Sequence, residues 1–223
     1  ELGCAYGTNE DVASACEYIF LCVKPQMMKD MLEGIADILK RREKGSFVLV
    51  SMAAGLTMTK LLDMVQGDYP IIRIMPNTPV LLGKGMIQYC HQNVNNTQLS
   101  TWLKAMALCG VLDEVSEKDM DAASSVSGCG PAFVYAFIEA LADGGVACGL
   151  PRQKAMTYAA QMVFGSASMV LETGKHPGQL KDEVCSPGGS TIQGVRTLEE
   201  HGFRGAVMDS VIAAYEKTKD LGK

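Results

Sequence analysis

The residues best suited to chemistry lie in one uncharged loop late in the chain, residues 184–194, which read VCSPGGSTIQG. Gly188 and Gly189 permit backbone angles that are closed to other residues, so the main chain can approach a ligand closely there. The amides of residues 190–192 would be the unpaired donors at the start of a helix, where anions bind readily. The loop therefore favours an anion site, although an ordinary helix connection with a serine cap has the same composition.

Composition limits the classes of protein that could carry such a loop. The chain has 223 residues, is 48% hydrophobic and has a net charge of -5, which is typical of a globular protein without the basic face that nucleic acid requires. The eight cysteines include no C-x-x-C pair, so we expect reduced thiols and a cytoplasmic location. The three histidines lack metal-ligand spacing, and no apolar run reaches the length of a membrane span. We therefore expect no metal site and no nucleic-acid or membrane partner.

The first half of the chain alternates apolar strand patterns with helical patterns. Strands are predicted at residues 18–23, 47–51, 71–75, 86–90 and 111–115. Helices are predicted at residues 27–40, 58–65 and 97–109. Thr57 is expected to cap the second of these helices, and Asn9 to cap an earlier one. Such alternation predicts an α/β sheet covered on both faces.

Three corners of small residues and prolines follow the first three predicted strands. They are CVKP at residues 22–25, SMAAG at residues 51–55 and MPNTP at residues 75–79. In an α/β sheet, ligands bind beyond the carboxyl ends of the strands. Each corner alone is a weak signal, because such turns also use proline and glycine for geometry. Together they favour a flat ligand lying across the sheet edge.

The start of the chain lacks one expected feature. A dinucleotide-binding fold opens with a strand, a G-x-G-x-x-G loop and a helix, and this sequence has no such loop. Its first residues, ELGCAYG, resemble the end of a helix at Gly3 followed by a short strand. We therefore expect about 30 residues, one βαβ unit, to precede Glu1 in the natural protein. Without them, dinucleotide binding is expected to be weak.

The second half of the chain reads as helical. We expect residues 1–118 to form the α/β domain and residues 119–223 to form a helical domain. Gly128, Gly130 and Pro131 should interrupt a long helix. The helices carry more small and apolar faces than a thin bundle can bury, which favours a dimer interface. Packing of these faces within one subunit is the alternative.

Several motifs occurring in order resemble the pyrroline-5-carboxylate reductase family. They are FLCVKP, SMAAG, RIMPNTP, SSVSGCGPAF, EALADGGV, GLPR, HPGQLKD and VCSPGGSTIQGVRTLE. The resemblance implies an N-terminal Rossmann-type domain, here without its first βαβ portion, and an all-α C-terminal dimerisation domain. It further implies that NADPH or NADH reduces 1-pyrroline-5-carboxylate to L-proline, the last step of proline biosynthesis. The missing glycine-rich loop leaves the choice between the two cofactors open.

The resemblance also implies roles for individual residues. The residues implied to lie beside the dinucleotide are Asn9, Cys22, Val23, Lys24, Pro25, Met52, Ala53, Ala54 and Asn77. The substrate is a small ring with one carboxylate and one imine nitrogen, and the residues expected to bind it are Ser186, Gly188, Gly189, Ser190 and Thr191. The amides of residues 189–191 and the Ser186 hydroxyl would bind the carboxylate. Thr191 would act as the catalytic residue, with its hydroxyl directed at the ring nitrogen.

Two other interpretations stay open at the level of sequence. One is a catalytically weak nucleotide-binding or dimerisation module of the same family. The other is a related Rossmann-plus-helical dehydrogenase acting on a hydroxy acid. That reaction needs a lysine or histidine base for the alcohol proton, and Lys24 is the only strand-end candidate.

Overall fold

The computed structural model of the chain describes residues 3–221, and Glu1, Leu2, Gly222 and Lys223 lie outside the described part. The chain divides into two compact units. One contains the residues up to Cys129 together with those from Ile212 onward, and the other is Gly130–Val211. The domain boundary that we predict after residue 118 precedes this division, because the helix at Met120–Ser127 packs with the sheet of the first unit.

Five strands form one sheet in the first unit. They are β1 (Tyr18–Leu21), β2 (Val48–Ser51), β3 (Ile71–Met75), β4 (Gly85–Gln92) and β5 (Gly110–Glu114), in that spatial order. The first three are parallel, β4 is antiparallel to β3, and β5 is parallel to β4. All five predicted strands are confirmed with small shifts at their ends. The sheet is therefore mixed: β1, β2 and β3 run in one direction, and β4 and β5 run together in the opposite direction.

Among the described residues, five helices lie wholly within the first unit. They are α1 (Asn9–Ala15), α2 (Met28–Arg41), α3 (Met58–Val65), α4 (Asn96–Met106) and α5 (Met120–Ser127). Short 3-10 turns lie at Pro25–Met27, Thr78–Leu82, Ala107–Cys109 and Glu117–Asp119. Thr57 caps α3 as predicted, because its side chain accepts the Lys60 N–H at 3.2 Å.

The sheet is covered on both faces, as the alternation predicts. One hydrophobic cluster includes buried residues of α2 and α3 together with Ile71 of β3. The other cluster centres on Trp102 of α4 and includes Ile72 and Ile74 of β3. Successive strand residues point to opposite faces, so Arg73 shares the face of Ile71. It is only 1% exposed, which makes it a buried charge within this core.

Two local predictions near the start of the chain are wrong. Asn9 does not cap α1: Thr8 is the N-cap, and it forms a reciprocal capping box with Asp11. Asn9 is instead the first residue of the helix. The short strand expected after Gly3 is also absent from the described residues, since residues 3–8 have neither helical nor strand structure.

The second unit is helical. It contains α6 (Gly130–Ala147), α7 (Arg152–Thr173), α8 (Pro177–Glu183), α9 (Ser190–Glu200) and the first part of α10 (Phe203–Leu221). The expected interruption is confirmed, because α5 ends before Gly128 and α6 begins at Gly130. The buried hydrophobic core of this unit consists of the three alanines Ala142, Ala155 and Ala159.

One expectation about apolar length is wrong. Within the described residues, the helical stretch Glu117–Ala147 is long and apolar enough to cross a membrane by length and composition alone. A helix that packs inside a protein can have the same length and apolar composition.

The described residues contain no cluster of three or more histidine, cysteine or acidic side chains that could hold a metal ion.

We expect the Cys90 thiol to be unreactive in the folded protein. Cys90 is 5% exposed, and burial raises the pKa of its thiol to about 11, so the reactive thiolate is scarce. Iodoacetamide at about pH 8 should label the exposed Cys148 and leave Cys90 unlabelled, as read by peptide mass spectrometry. After denaturation both should label. Equal labelling rates at the two positions in the native protein would contradict the burial of Cys90.

Candidate active site

Three corners lie along one edge of the first unit's sheet. The final residues of β1 and β2, Leu21 and Ser51, are paired in register, and Ser51 is paired in turn with Arg73 of β3. Because these strands are parallel neighbours, the segments that follow them leave the sheet at the same carboxyl edge. The structure therefore places the corners after β1, β2 and β3 side by side, which is where ligands bind in α/β sheets.

The first corner runs from Cys22 to the 3-10 turn that Pro25 opens. Lys24 is exposed and extended, with φ −61° and ψ 148°, as the residue before a proline tends to be. Its carbonyl accepts the Met27 N–H at 2.9 Å, which closes the turn. Val23 packs partly against the core. Partial burial raises the pKa of the Cys22 thiol, so this corner presents a neutral thiol.

The second corner is formed by the small residues after β2. Ala53 is buried, and its N–H donates to the hydroxyl of Ser51 at 3.3 Å. Met52 and Ala54 are half-buried. Short side chains here leave the main chain close to the surface of the edge, which suits contact with a flat ring.

The third corner is held by the side chain of Asn77. Its Nδ2 donates to the Ser127 carbonyl at 3.0 Å, and its Oδ1 accepts the Met86 N–H at 3.0 Å. Both polar atoms of the amide are thus used within the first unit. Asn77 shapes the corner by joining the end of β3 to β4 and to the end of α5.

An ion-pair cluster around the buried Arg73 was missed by the sequence reasoning, and its two carboxylates, Asp121 and Glu117, are 26% and 28% exposed. Arg73 Nη2 lies 2.6 Å from Asp121 Oδ1, and Nη1 lies 3.6 Å from Glu117 Oε1. The same Glu117 oxygen accepts the Met58 N–H at 2.6 Å. The available signal was the lone arginine in the apolar strand IIRIM, since a charge in a buried strand must find partners.

The expected substrate loop lies in the second unit. Gly188 adopts φ +70°, a conformation that favours glycine, and Gly189 is the N-cap of α9. No side chain among the described residues caps α9, so neither Ser190 nor Thr191 serves as the serine or threonine cap of the alternative interpretation. Both are exposed in its first turn.

One donor expected in that loop is already used. The Gly189 N–H donates to the Ser186 carbonyl at 3.0 Å and closes a turn over residues 186–189. The amides from Ser190 onward remain at the start of the helix, where no earlier turn of α9 can pair them. These amides, the exposed Ser186 hydroxyl and the exposed Thr191 hydroxyl lie together on one short segment.

The predicted residues thus fall into two groups. All the residues implied for the cofactor belong to the first unit, and all those implied for the substrate belong to the second. Asn9 precedes all three corners in the sequence. It is exposed at the start of α1.

Comparison with known proteins agrees with the motifs. A family model described as pyrroline-5-carboxylate reductase dimerisation matches residues 117–221. A second model, described as NADP oxidoreductase, coenzyme F420-dependent, matches residues 1–55. The expected combination of a Rossmann-type α/β domain with a helical dimerisation domain is confirmed.

Individual relatives match along nearly the whole chain. The pyrroline-5-carboxylate reductase of Glycine max is 43% identical over 217 residues, which cover 96% of this chain and 77% of the relative. The Escherichia coli enzyme of the same name is 43% identical and is covered to 78%, again by 96% of this chain. The crystal structure of Plasmodium falciparum pyrroline carboxylate reductase with NADP bound aligns with a TM-score of 0.91 at 41% identity, covering 98% of this chain and 82% of that one. Similarity of this extent in both sequence and fold makes the chain a member of the pyrroline-5-carboxylate reductase family.

Proposed function

We propose that the chain is an NAD(P)H-dependent reductase that converts 1-pyrroline-5-carboxylate to L-proline. The observation that carries the proposal is the 43% identity, over 96% of the chain, to enzymes named for this activity. The exposed loop at the start of α9 supplies the groups that a small ring with a carboxylate requires. The corners at the carboxyl edge of the sheet supply a surface for the cofactor.

The residues of the sheet edge fit the nicotinamide end of a dinucleotide. Ala53 and Ala54 are small, the turn at Pro25 is closed by its own hydrogen bond, and the Cys22 thiol is neutral. These corners, with Lys24 and the corner shaped by Asn77, would hold that end of the cofactor. When bound, the reduced nicotinamide supplies the hydride. The sequence contains no G-x-G-x-x-G loop, so these corners account for only part of a dinucleotide site.

The loop before α9 is suited to hold the substrate. The main-chain amides of Ser190 and Thr191 point an uncompensated partial positive charge toward a carboxylate, and the Ser186 hydroxyl adds a donor. The Thr191 hydroxyl then hydrogen-bonds the ring nitrogen and orients it. A protonated imine is already electrophilic at carbon, so the loop needs neither a strong acid nor a strong base. An uncharged loop also avoids holding the product carboxylate too tightly.

We infer that the protein works as a homodimer or an assembly of dimers. The buried core of the second unit consists of three alanines, which is too little apolar burial to stabilise a helical unit of this size alone. The same unit exposes many large apolar side chains. They include Leu171, Phe164, Val184, Met208, Tyr158 and Met162. A family model named for dimerisation covers these helices, which supports a second copy as the partner.

A cytoplasmic location belongs to the same proposal. Thiols without a disulfide partner are found at Cys16, Cys22, Cys90, Cys109, Cys129, Cys148 and Cys185. Thiols persist in reducing compartments, which supports a cytoplasmic enzyme.

Replacement of Thr191 should separate catalysis from stability. Thr191→Ala is expected to lower turnover by at least about tenfold, because about 1.4 kcal/mol of barrier depends on the hydroxyl that orients the ring nitrogen. The melting temperature should change little, since Thr191 is exposed and does not cap α9. Steady-state kinetics and thermal melts on the same preparations measure the two effects.

Thr191→Ser is the matched control, because it keeps the hydroxyl and should retain most of the turnover. Ser186→Ala should mainly raise the KM for the imine, since its hydroxyl binds the carboxylate. A Thr191→Ala enzyme with normal turnover and an earlier melt would show that this residue is structural.

The dimer inference can be tested with a substitution in α7. Light scattering of the purified protein should give a mass at least twice the 23.9 kDa of the chain. Phe164→Glu should lower this mass or precipitate the protein, because Phe164 is 59% exposed and a charge cannot be buried against a partner without cost. Ser100→Glu, at an exposed position on α4 of the first unit, is the control and should leave the mass unchanged. A fully active monomer at micromolar concentration would overturn the inference.

A further inference from the structure

A series of partly buried polar contacts joins the middle of the sheet to helix α5. It begins at Arg73 on β3, whose guanidinium is paired with Asp121 at 2.6 Å and with Glu117 at 3.6 Å. Removing a cation from water is costly, so the two carboxylates are the partners that make its burial possible. Asp121 lies in the first turn of α5, and Glu117 lies in the 3-10 turn before it. The beginning of α5 is therefore tied to β3.

The other end of α5 is tied to the carboxyl edge of the sheet. Ser127, its last residue, donates its hydroxyl proton to Gln88 Oε1 at 2.8 Å, and its carbonyl accepts from Asn77 Nδ2 at 3.0 Å. Gln88 is 4% exposed and Ser127 is half-buried, so this contact is partly buried at the sheet. The position of α5 thus determines where the partner of Asn77 lies, and with it the orientation of the third corner.

We propose that Arg73 and Asp121 are positioning residues of the reductase. Their ion pair holds α5 so that Ser127 keeps Asn77 and its corner in the conformation that receives the nicotinamide end of the cofactor. The proposal rests on the proposed function, because that function assigns the corner to the cofactor. The pair acts through the helix and needs no contact with the cofactor itself.

A buried ion pair is a poor means of adding stability alone. Replacing such a pair by apolar residues of similar volume is often neutral, whereas removing one partner leaves an unpaired charge. An ion pair restricts geometry in a way that an apolar contact does not, because the planar guanidinium donates its hydrogen bonds only in certain directions. The Arg73–Asp121 ion pair therefore fixes the rotation of α5 about its axis and its distance from β3.

The test compares Asp121→Ala with the conservative Asp121→Asn. Asp121→Ala should raise the KM for NADPH by at least about tenfold, because small displacements at a cofactor corner are costly, and should leave the KM for the imine unchanged. Asp121→Asn keeps an oxygen for the Arg73 bond and should stay within about threefold of the original enzyme. Hydrogen exchange of peptides covering Met86, whose N–H donates to Asn77 Oδ1, and residues 124–128 should rise in the alanine variant only.

The matched control is Ile72→Val, which removes a buried methyl from the opposite face of β3. It should lower the melting temperature without changing the KM for NADPH or the exchange of either peptide. An Asp121→Ala enzyme that behaves like this control would overturn the proposal. If Asp121→Ala does not fold, Arg73→Lys takes its place, because lysine keeps the charge but cannot reach two carboxylates in a planar fork.

The exchange measurement separates failure of the proposal from failure of the proposed function. If the original enzyme does not oxidise NADPH with the imine, the proposed function is wrong. The ion pair is then judged by exchange alone: faster exchange at the Met86 amide in the variant supports its positioning role, and unchanged exchange overturns it.

Discussion

The burial of the Arg73 charge is the constraint on which the first unit depends. An arginine in the middle of an apolar strand cannot remain there without carboxylates, and the structure brings them from Glu117 and Asp121, more than forty residues further along the chain. Meeting that requirement brings α5 onto the sheet. Since Glu117 also accepts the Met58 N–H, the same requirement connects the start of α3. One charge thus links a strand and two helices near the edge where a cofactor would bind.

The second unit, in contrast, buries little hydrophobic core of its own. Alanines such as Ala142 and Ala155 let helices approach closely but bury little apolar area, while residues such as Leu171 stay 84% exposed. The dimer that we propose would add the missing burial through a partner surface. The loop that we assign to the substrate lies in this unit, so under that proposal its geometry depends on assembly as well as on the chain itself.

Much of the fold followed from periodicity in the sequence. The bounds of α2 and α3 agree with their patterns to within one residue, because apolar spacing and capping residues act locally. The antiparallel direction of β4 was not predicted, although only residues 76–84 separate it from β3. A parallel return needs a crossover of about a dozen residues or more, so this short connection favours the antiparallel pairing.

The site was less accessible to sequence reasoning, for physical reasons. Asn9 was chosen as a cap, whereas the pair Thr8 and Asp11 forms the reciprocal capping box. The Gly189 amide was expected to face a ligand, but it closes a turn onto Ser186. The ion-pair partners of Arg73 and the hydrogen-bond partner of Asn77 on α5 come from segments distant in the chain, so no local sequence pattern predicts them. The motif resemblance indicates which loop residues bind the substrate. Their neighbours in space are known only from the folded structure.

The most direct measurement is a crystal structure of the protein with NADPH and L-proline bound. We predict that the proline carboxylate binds at the amides of Ser190 and Thr191, with the ring nitrogen within hydrogen-bond distance of Thr191 Oγ1. We also predict that the nicotinamide binds at the corners after β1, β2 and β3. Proline bound away from the loop before α9, or a nicotinamide bound away from the carboxyl edge of the sheet, would contradict these predictions.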